Sequence, residues 1–201
     1  MPGPAHRELE LKAVVENPGA VRRRLHASGA VSRFRGRMTD LRYDRAGELV
    51  ARDEVLRVRT YHHGDGRAEA ILAWKGPTMR SPDGYKMRQE IELPTAGRPG
   101  DPGRLLAALG YRPVQAIERE VEIYRVHDAT ARLETYPRMD VLLEVEGEPD
   151  AIERAIAVSG IPRERFTAES LAEFVRRFQE RSGQQAVLAI SQPVPPAAGA
   201  V

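Results

Sequence analysis

The chain has 201 residues, a formal net charge of +2, 30% charged and 41% hydrophobic residues, which suits one soluble domain with a substantial core. No apolar run approaches the ~20 residues of a membrane helix, nothing in the opening residues points to export, and the lack of cysteine removes disulfides and thiolate metal sites. Basic residues are spread evenly, so no nucleic-acid footprint stands out, and the expectation is a cytoplasmic protein without a nucleic-acid or membrane partner.

In chain order, residues 7–15 read as a strand. Asn17 and Pro18 then cap and start a helix that ends near Gly29. Residues 33–44 are polar and extended. "VLRVRTY" (55–61) and "EAILAWKGP" (69–77) flank "HHGDG", a hairpin loop by composition in which His62 and His63 are expected to be solvated. "YKMRQEIEL" (85–93) alternates again, 94–103 reads as a linker, and "PGRLLAALG" is a short amphipathic helix. Three further strands follow in "QAIEREVEIYRV", "ATARLETY" and "DVLLEVEGE", then a helix from Pro149 and a last one capped by Thr167. The folded domain is expected over 1–183, with a disordered Pro/Ala-rich tail over 184–201. Many strands with helices at intervals imply an antiparallel sheet with helices outside it, an α+β class.

Several strands carry ionised residues two apart, and so on one face: Glu8/Glu10/Lys12, Arg57/Arg59, Lys86/Arg88/Glu90/Glu92 and Glu144/Glu146. For any one strand the plain explanation is a wet outer face. Taken together the sets are almost undiluted by Thr, Ser or Gln. Turned inward, they would need a wet interior and a ligand of both signs, such as a polyanion with divalent cations. Arg and Lys would grip phosphate oxygens and hard carboxylates would hold the metal. The chain has twenty-eight Arg and only three Lys (Lys12, Lys75 and Lys86), so the lysines mark places where a compact point charge is kept.

"ELELK" (8–12) resembles the ExExK signature of the CYTH family, the triphosphate tunnel metalloenzymes, which include class IV adenylyl cyclases and thiamine and inorganic triphosphatases. "TDLRYD" is similar to the family's D-x-Y-F-D segment, with Arg42 in place of an aromatic residue. "EVLRVR", "AWKGP", "MRQEIEL" and "RLETYPRMDVLLEVEG" resemble its later strands in order, and the resemblance spans about 7–180. It implies an eight-stranded antiparallel β-barrel, with helices packed outside, around a triphosphate tunnel.

Carried over by position, Glu8, Glu10, Glu134, Glu144 and Glu146 are implied as metal carboxylates for Mg²⁺ or Mn²⁺. Lys12, Arg57, Arg59, Lys75 and Arg88 are implied as phosphate ligands, with Lys86 on the same face and Arg119 on a strand less basic than the family's. Glu10, Lys12, Arg59 and Lys75 are the implied catalytic set, and Glu90, Glu92, Asp40 and Asp44 the supporting acids. The implied partner is a triphosphate compound (ATP, tripolyphosphate or thiamine triphosphate), and class IV cyclase-type members imply a homodimer. Cyclisation of ATP is the first expectation and a triphosphatase the second. A non-catalytic polyphosphate or nucleotide binder would need the basic residues but no complete metal site.

Overall fold

The computed structural model describes residues 6–190, with side chains from Glu8 onward. Nine strands, β1 (His6–Val14), β2 (Val31–Asp44), β3 (Val55–His62), β4 (Ala68–Lys75), β5 (Met79–Arg80), β6 (Lys86–Thr95), β7 (Arg112–Val126), β8 (Ala129–Thr135) and β9 (Leu142–Glu146), form one antiparallel sheet. Their order is β1-β9-β8-β7-β2-β3-β4-β6-β5, and an added β1–β6 pairing closes the first eight into a barrel. Closure leaves no long open edge among these strands. The two-residue β5 lies outside the ring, paired only to β6.

β1 completes the ring by dividing its length between two neighbours. Residues 6–10 pair with β6 and residues 10–14 with β9, so Glu10 faces Lys86 on one side and Glu146 on the other. The register is fixed by apolar residues that cannot face water. A one-residue slip would turn Leu9, Leu11 and Ala13 inward and the charges outward.

Five helices pack outside: α1 (Pro18–Ala27), α2 (Glu48–Ala51), α3 (Asp101–Ala108), α4 (Pro149–Ser159) and α5 (Leu171–Ser182). α1 and α4 cover the outer faces of β1, β9 and β8, where Leu11, Val145 and Leu133 meet Leu25, Ile152 and Ile156. α3 covers β2, β3 and β4 through Leu106, packed with Tyr43, Val58 and Ala70. α5 does something different. Phe174 packs on Val14, Ile117, Tyr136 and Leu142, which by alternation continue the inward faces of β1, β7, β8 and β9. The interior therefore turns from charged to apolar at one end, and α5 closes it there.

Some sequence expectations need correcting. Thr167 does not cap α5. Its backbone bridges to Lys12, with N–H···O distances of 2.9 and 2.8 Å, while Ser170 and Glu173 form a capping box at the start of the helix. Asn17 caps α1 as expected, accepting from Ala20 N at 3.0 Å. β6 runs through Pro94 into the segment read as a linker, and the short α2 and β5 were not expected. His62 ends β3, and His63 is edge-on to Phe34 with ring centres 5.2 Å apart, so neither is freely solvated. Of the segment expected as a tail, 184–190 returns along the barrel. Val187 exchanges backbone hydrogen bonds with Arg138 at 2.8 and 3.2 Å, and Leu188 O accepts from Glu118 N. Residues 191–201 lie outside the described part. Among the described residues, no helix is long and apolar enough to cross a membrane.

Candidate active site

Alternation carries the chemistry inward. Leu11 and Ala13 (β1), Ala131 and Leu133 (β8), and Leu143 and Val145 (β9) belong to the outer core. Their neighbours Glu8, Glu10, Lys12, Arg132, Glu134, Glu144 and Glu146 therefore point into the barrel. Leu56 and Val58 do the same for Arg57 and Arg59 on β3. Glu8, Arg59, Lys75 and Glu146, from four strands, thus share one interior.

That interior is divided by charge. On β6, β1 and β9 the carboxylates gather with Lys12 and Lys86, and Lys75 joins them from the end of β4. Lys12 Nζ lies 2.5 Å from both Glu10 Oε1 and Glu144 Oε2, and Lys86 Nζ reaches the same Glu10 oxygen at 2.5 Å. Lys75 pairs with Glu8 at 3.2 Å and with Glu90. Arg132, from β8, forks onto Glu144 and onto Glu146, the latter at 3.1 Å. On β7, β2 and β3 three guanidiniums surround a single acid. Asp40 receives Arg59 at 2.8 and 3.0 Å and Arg119 at 3.1 Å, with Arg57 at 3.7 Å. In the ring order, β2 and β3 stand four places from β1 and β9, so the two groups oppose each other across the barrel.

The electrostatics follow this division. Burial would raise Asp40, but Arg59, Arg119 and Arg57 hold it well below the usual carboxylate range. Burial likewise opposes ionised Glu10 and Glu144, yet Lys12 keeps both low, and Lys12 itself is held above its ordinary value by those two acids. Glu146 goes the other way. Burial, Glu8 and Glu144 raise it well above the usual range despite Arg132. Burial and a hydrogen bond with Glu8 push Glu90 up to about 8.

A divalent cation fits this acid set. Glu8, Glu10 and Glu146 each offer an oxygen within 4.8 Å of the others. Glu146 Oε2 is buried with no hydrogen-bond partner, and carboxylate oxygens are the hard donors that Mg²⁺ and Mn²⁺ take. Arg42 Nε, Arg57 Nε, Arg119 Nη1 and Arg132 Nε are likewise buried donors without partners. Buried polar atoms are rarely left unpaired, so orphans of both kinds point to a ligand with both signs.

Not every residue named from the sequence joins the cluster. Asp44 accepts from the backbone N–H groups of Arg45, Leu49 and Val50 and fastens the turn into α2. Arg88 is buried but donates to the carbonyls of Gly76, at 2.5 Å, and Asp53. Glu92 stands half-exposed, 3.4 Å from Arg57. Glu134 is inside, taken up by Arg119 at 2.9 Å and the Tyr136 hydroxyl at 2.6 Å. Sequence reading missed Arg132. Its spacing of two from Glu134, the same pattern that marked the other strands, was the available signal.

No protein-family model matches the sequence, and no curated protein matches it. Solved structures do. PH1819 of Pyrococcus horikoshii aligns over 85% of this chain and 98% of its own, at 23% identity and a TM-score of 0.67. A proposed adenylate cyclase of Vibrio parahaemolyticus aligns over 86% and 99%, at 16% identity and a TM-score of 0.68. HpAC1 of Hippeastrum, a proposed adenylyl cyclase described as revealing a dominant triphosphatase activity, aligns over 90% and 98%, at 19% identity and a TM-score of 0.59. At these identities the likeness is one of fold: a closed eight-stranded antiparallel barrel with helices outside it.

Proposed function

We propose that the chain is a divalent-metal-dependent enzyme acting on triphosphate compounds, with cyclisation of ATP as its first reaction. The observation that carries this reading is the divided interior. Arg57, Arg59 and Arg119 converge on Asp40 on one side, with Glu134 beside Arg119 and the half-exposed Glu92 beside Arg57, and Glu8, Glu10 and Glu146 crowd together on the other. A phosphate chain bridged to a cation would meet the guanidiniums and the carboxylates at once.

Glu8, Glu10 and Glu146 would hold Mg²⁺ or Mn²⁺, which when bound would neutralise phosphate charge and acidify an attacking hydroxyl. The orphaned Arg57 Nε and Arg119 Nη1 would bind phosphate oxygens in a site prepared before substrate arrives. Lys12 keeps Glu10 and Glu144 ionised, Lys75 does so for Glu8, and both would add positive charge beside the phosphates. In the cyclising reaction the ribose 3′-oxygen bonds to the α-phosphorus, the bond to the β-phosphate oxygen breaks, pyrophosphate leaves and the hydroxyl proton is lost.

A nucleoside is favoured by the end of the barrel remote from α5. Tyr61 and Phe34 share the inward faces of Arg59 and Asp40, edge-to-face with ring centres 4.9 Å apart. Along β7, Phe34 lies opposite Ile123, six residues or about 20 Å from the Ile117 of the closed end. These rings offer a base a place to stack.

The test is incubation with ATP or tripolyphosphate and Mg²⁺ or Mn²⁺, with cyclic AMP and orthophosphate measured separately. Cyclic AMP supports the first reading. Orthophosphate alone rejects cyclisation and supports a triphosphatase, the activity described for HpAC1. Neither product from folded protein rejects the enzyme and leaves a binder.

A further inference from the structure

The resemblance allots the metal five carboxylates, and the structure leaves only part of that set open. Glu134 has one oxygen on Arg119, at 2.9 Å, and the other on the Tyr136 hydroxyl, at 2.6 Å. Glu144 has Oε1 on Arg132 Nη1 and Oε2 on Lys12, at 2.5 Å. Glu8, Glu10 and Glu146 remain as the cluster with mutually close oxygens, and Glu146 Oε2 is the buried oxygen without a partner.

The group that separates the two sets is Arg132. Its guanidinium spans Glu144 and Glu146, two residues apart on one strand, and occupies the place between them. The backbone holds it there, because Arg132 is the register partner of Glu144 in the β8–β9 pairing. A guanidinium does not deprotonate in proteins, and its planar fork suits two carboxylates better than an ammonium does. Burial keeps water from loosening the pairs: the Arg132 side chain is 11% exposed and that of Glu144 is 8%.

We infer that Arg132 is a built-in cation standing in for a second metal, so that the chain binds one divalent ion, on Glu8, Glu10 and Glu146, and Glu144 is not a ligand. The inference rests on the metal-dependent reading above and narrows it. Arg132 acts here through the carboxylates it occupies and is a positioning residue.

The experiment is titration with Mn²⁺ alone, counting bound ions by the loss of the free-ion paramagnetic resonance signal. The full chain should bind one Mn²⁺. Glu146→Gln should weaken binding about tenfold or more, while Glu144→Gln should change it by less than about threefold. Arg132→Gln should admit a second Mn²⁺, which Glu144→Gln in the same chain removes, and Arg132→Lys should stay at one. Two ions on the unaltered chain, or equal losses from Glu144→Gln and Glu146→Gln, overturn the inference and leave the metal-dependent reading standing. No bound Mn²⁺ overturns both. Should Arg132→Gln fail to fold, the comparison of Glu144→Gln with Glu146→Gln decides alone.

Discussion

Arg59 holds Asp40 through two parallel hydrogen bonds, Nε at 2.8 Å and Nη2 at 3.0 Å, deep in the barrel. The same carboxylate also faces Arg119 and Arg57, so three buried guanidiniums converge on it, Arg119 being held by Glu134 as well. Removing one member of a buried ion group leaves the rest uncompensated, at about 3–5 kcal/mol. Asp40→Asn is therefore expected to lower thermal stability severely in ligand-free protein, with tripolyphosphate restoring part of the loss. Thermal unfolding with and without tripolyphosphate measures both effects. An unchanged melting temperature would mean that these arginines do not depend on Asp40.

The raised acids make metal binding a proton-releasing event. Glu90, pushed up to about 8, holds a proton near neutrality that the unfolded chain has already lost, and burial raises Glu146 in the same direction. Their contribution to stability therefore falls as pH rises from the ordinary carboxylate range toward 8. A metal requires ionised carboxylates, so Mn²⁺ affinity should climb over the same interval with release of protons. Calorimetry in buffers of different ionisation enthalpy counts those protons. Affinity that stays flat between about pH 6 and pH 8 would contradict the assignment.

Closure of one end by α5 has its own energetic signature. Phe174 is 2% exposed against Ile117, Tyr136 and Leu142. Phe174→Ala should destabilise the protein by about 3–5 kcal/mol, the range for emptying a buried aromatic site. Denaturant unfolding gives the value. A loss under about 1 kcal/mol would show that α5 does not pack as described.

Much of this site was legible because a strand has a period of two. Leu9, Leu11 and Ala13 had to share a face, which put Glu8, Glu10 and Lys12 on the other, and the structure turns that face inward. Closure into a barrel was not readable from alternation, since a flat sheet with one wet side has the same pattern; the resemblance supplied it. Asp44 sits two residues after Arg42 and looks equivalent to the interior acids. The chain turns beside it, however, and its carboxylate goes to the backbone of α2. α2 and β5, with four and two residues, are too short for a periodic signal. Sequence reading put the cap at Thr167 and missed Ser170, although Glu173 three residues on gives Ser170 the capping-box spacing. Only the pairing of Thr167 with Lys12 shows that the chain is still extended there.

Binding of tripolyphosphate in the presence of Mn²⁺, followed by calorimetry on the unaltered chain and on Arg59→Ala, Lys75→Ala and Arg176→Ala, tests the central claim most directly. Arg176 is exposed on α5, paired with Glu180, and serves as the control. The account predicts one tripolyphosphate per chain, an affinity loss of about tenfold or more for Arg59→Ala and Lys75→Ala, and no change for Arg176→Ala. Equal binding by all four proteins, or none by the unaltered chain, would contradict it.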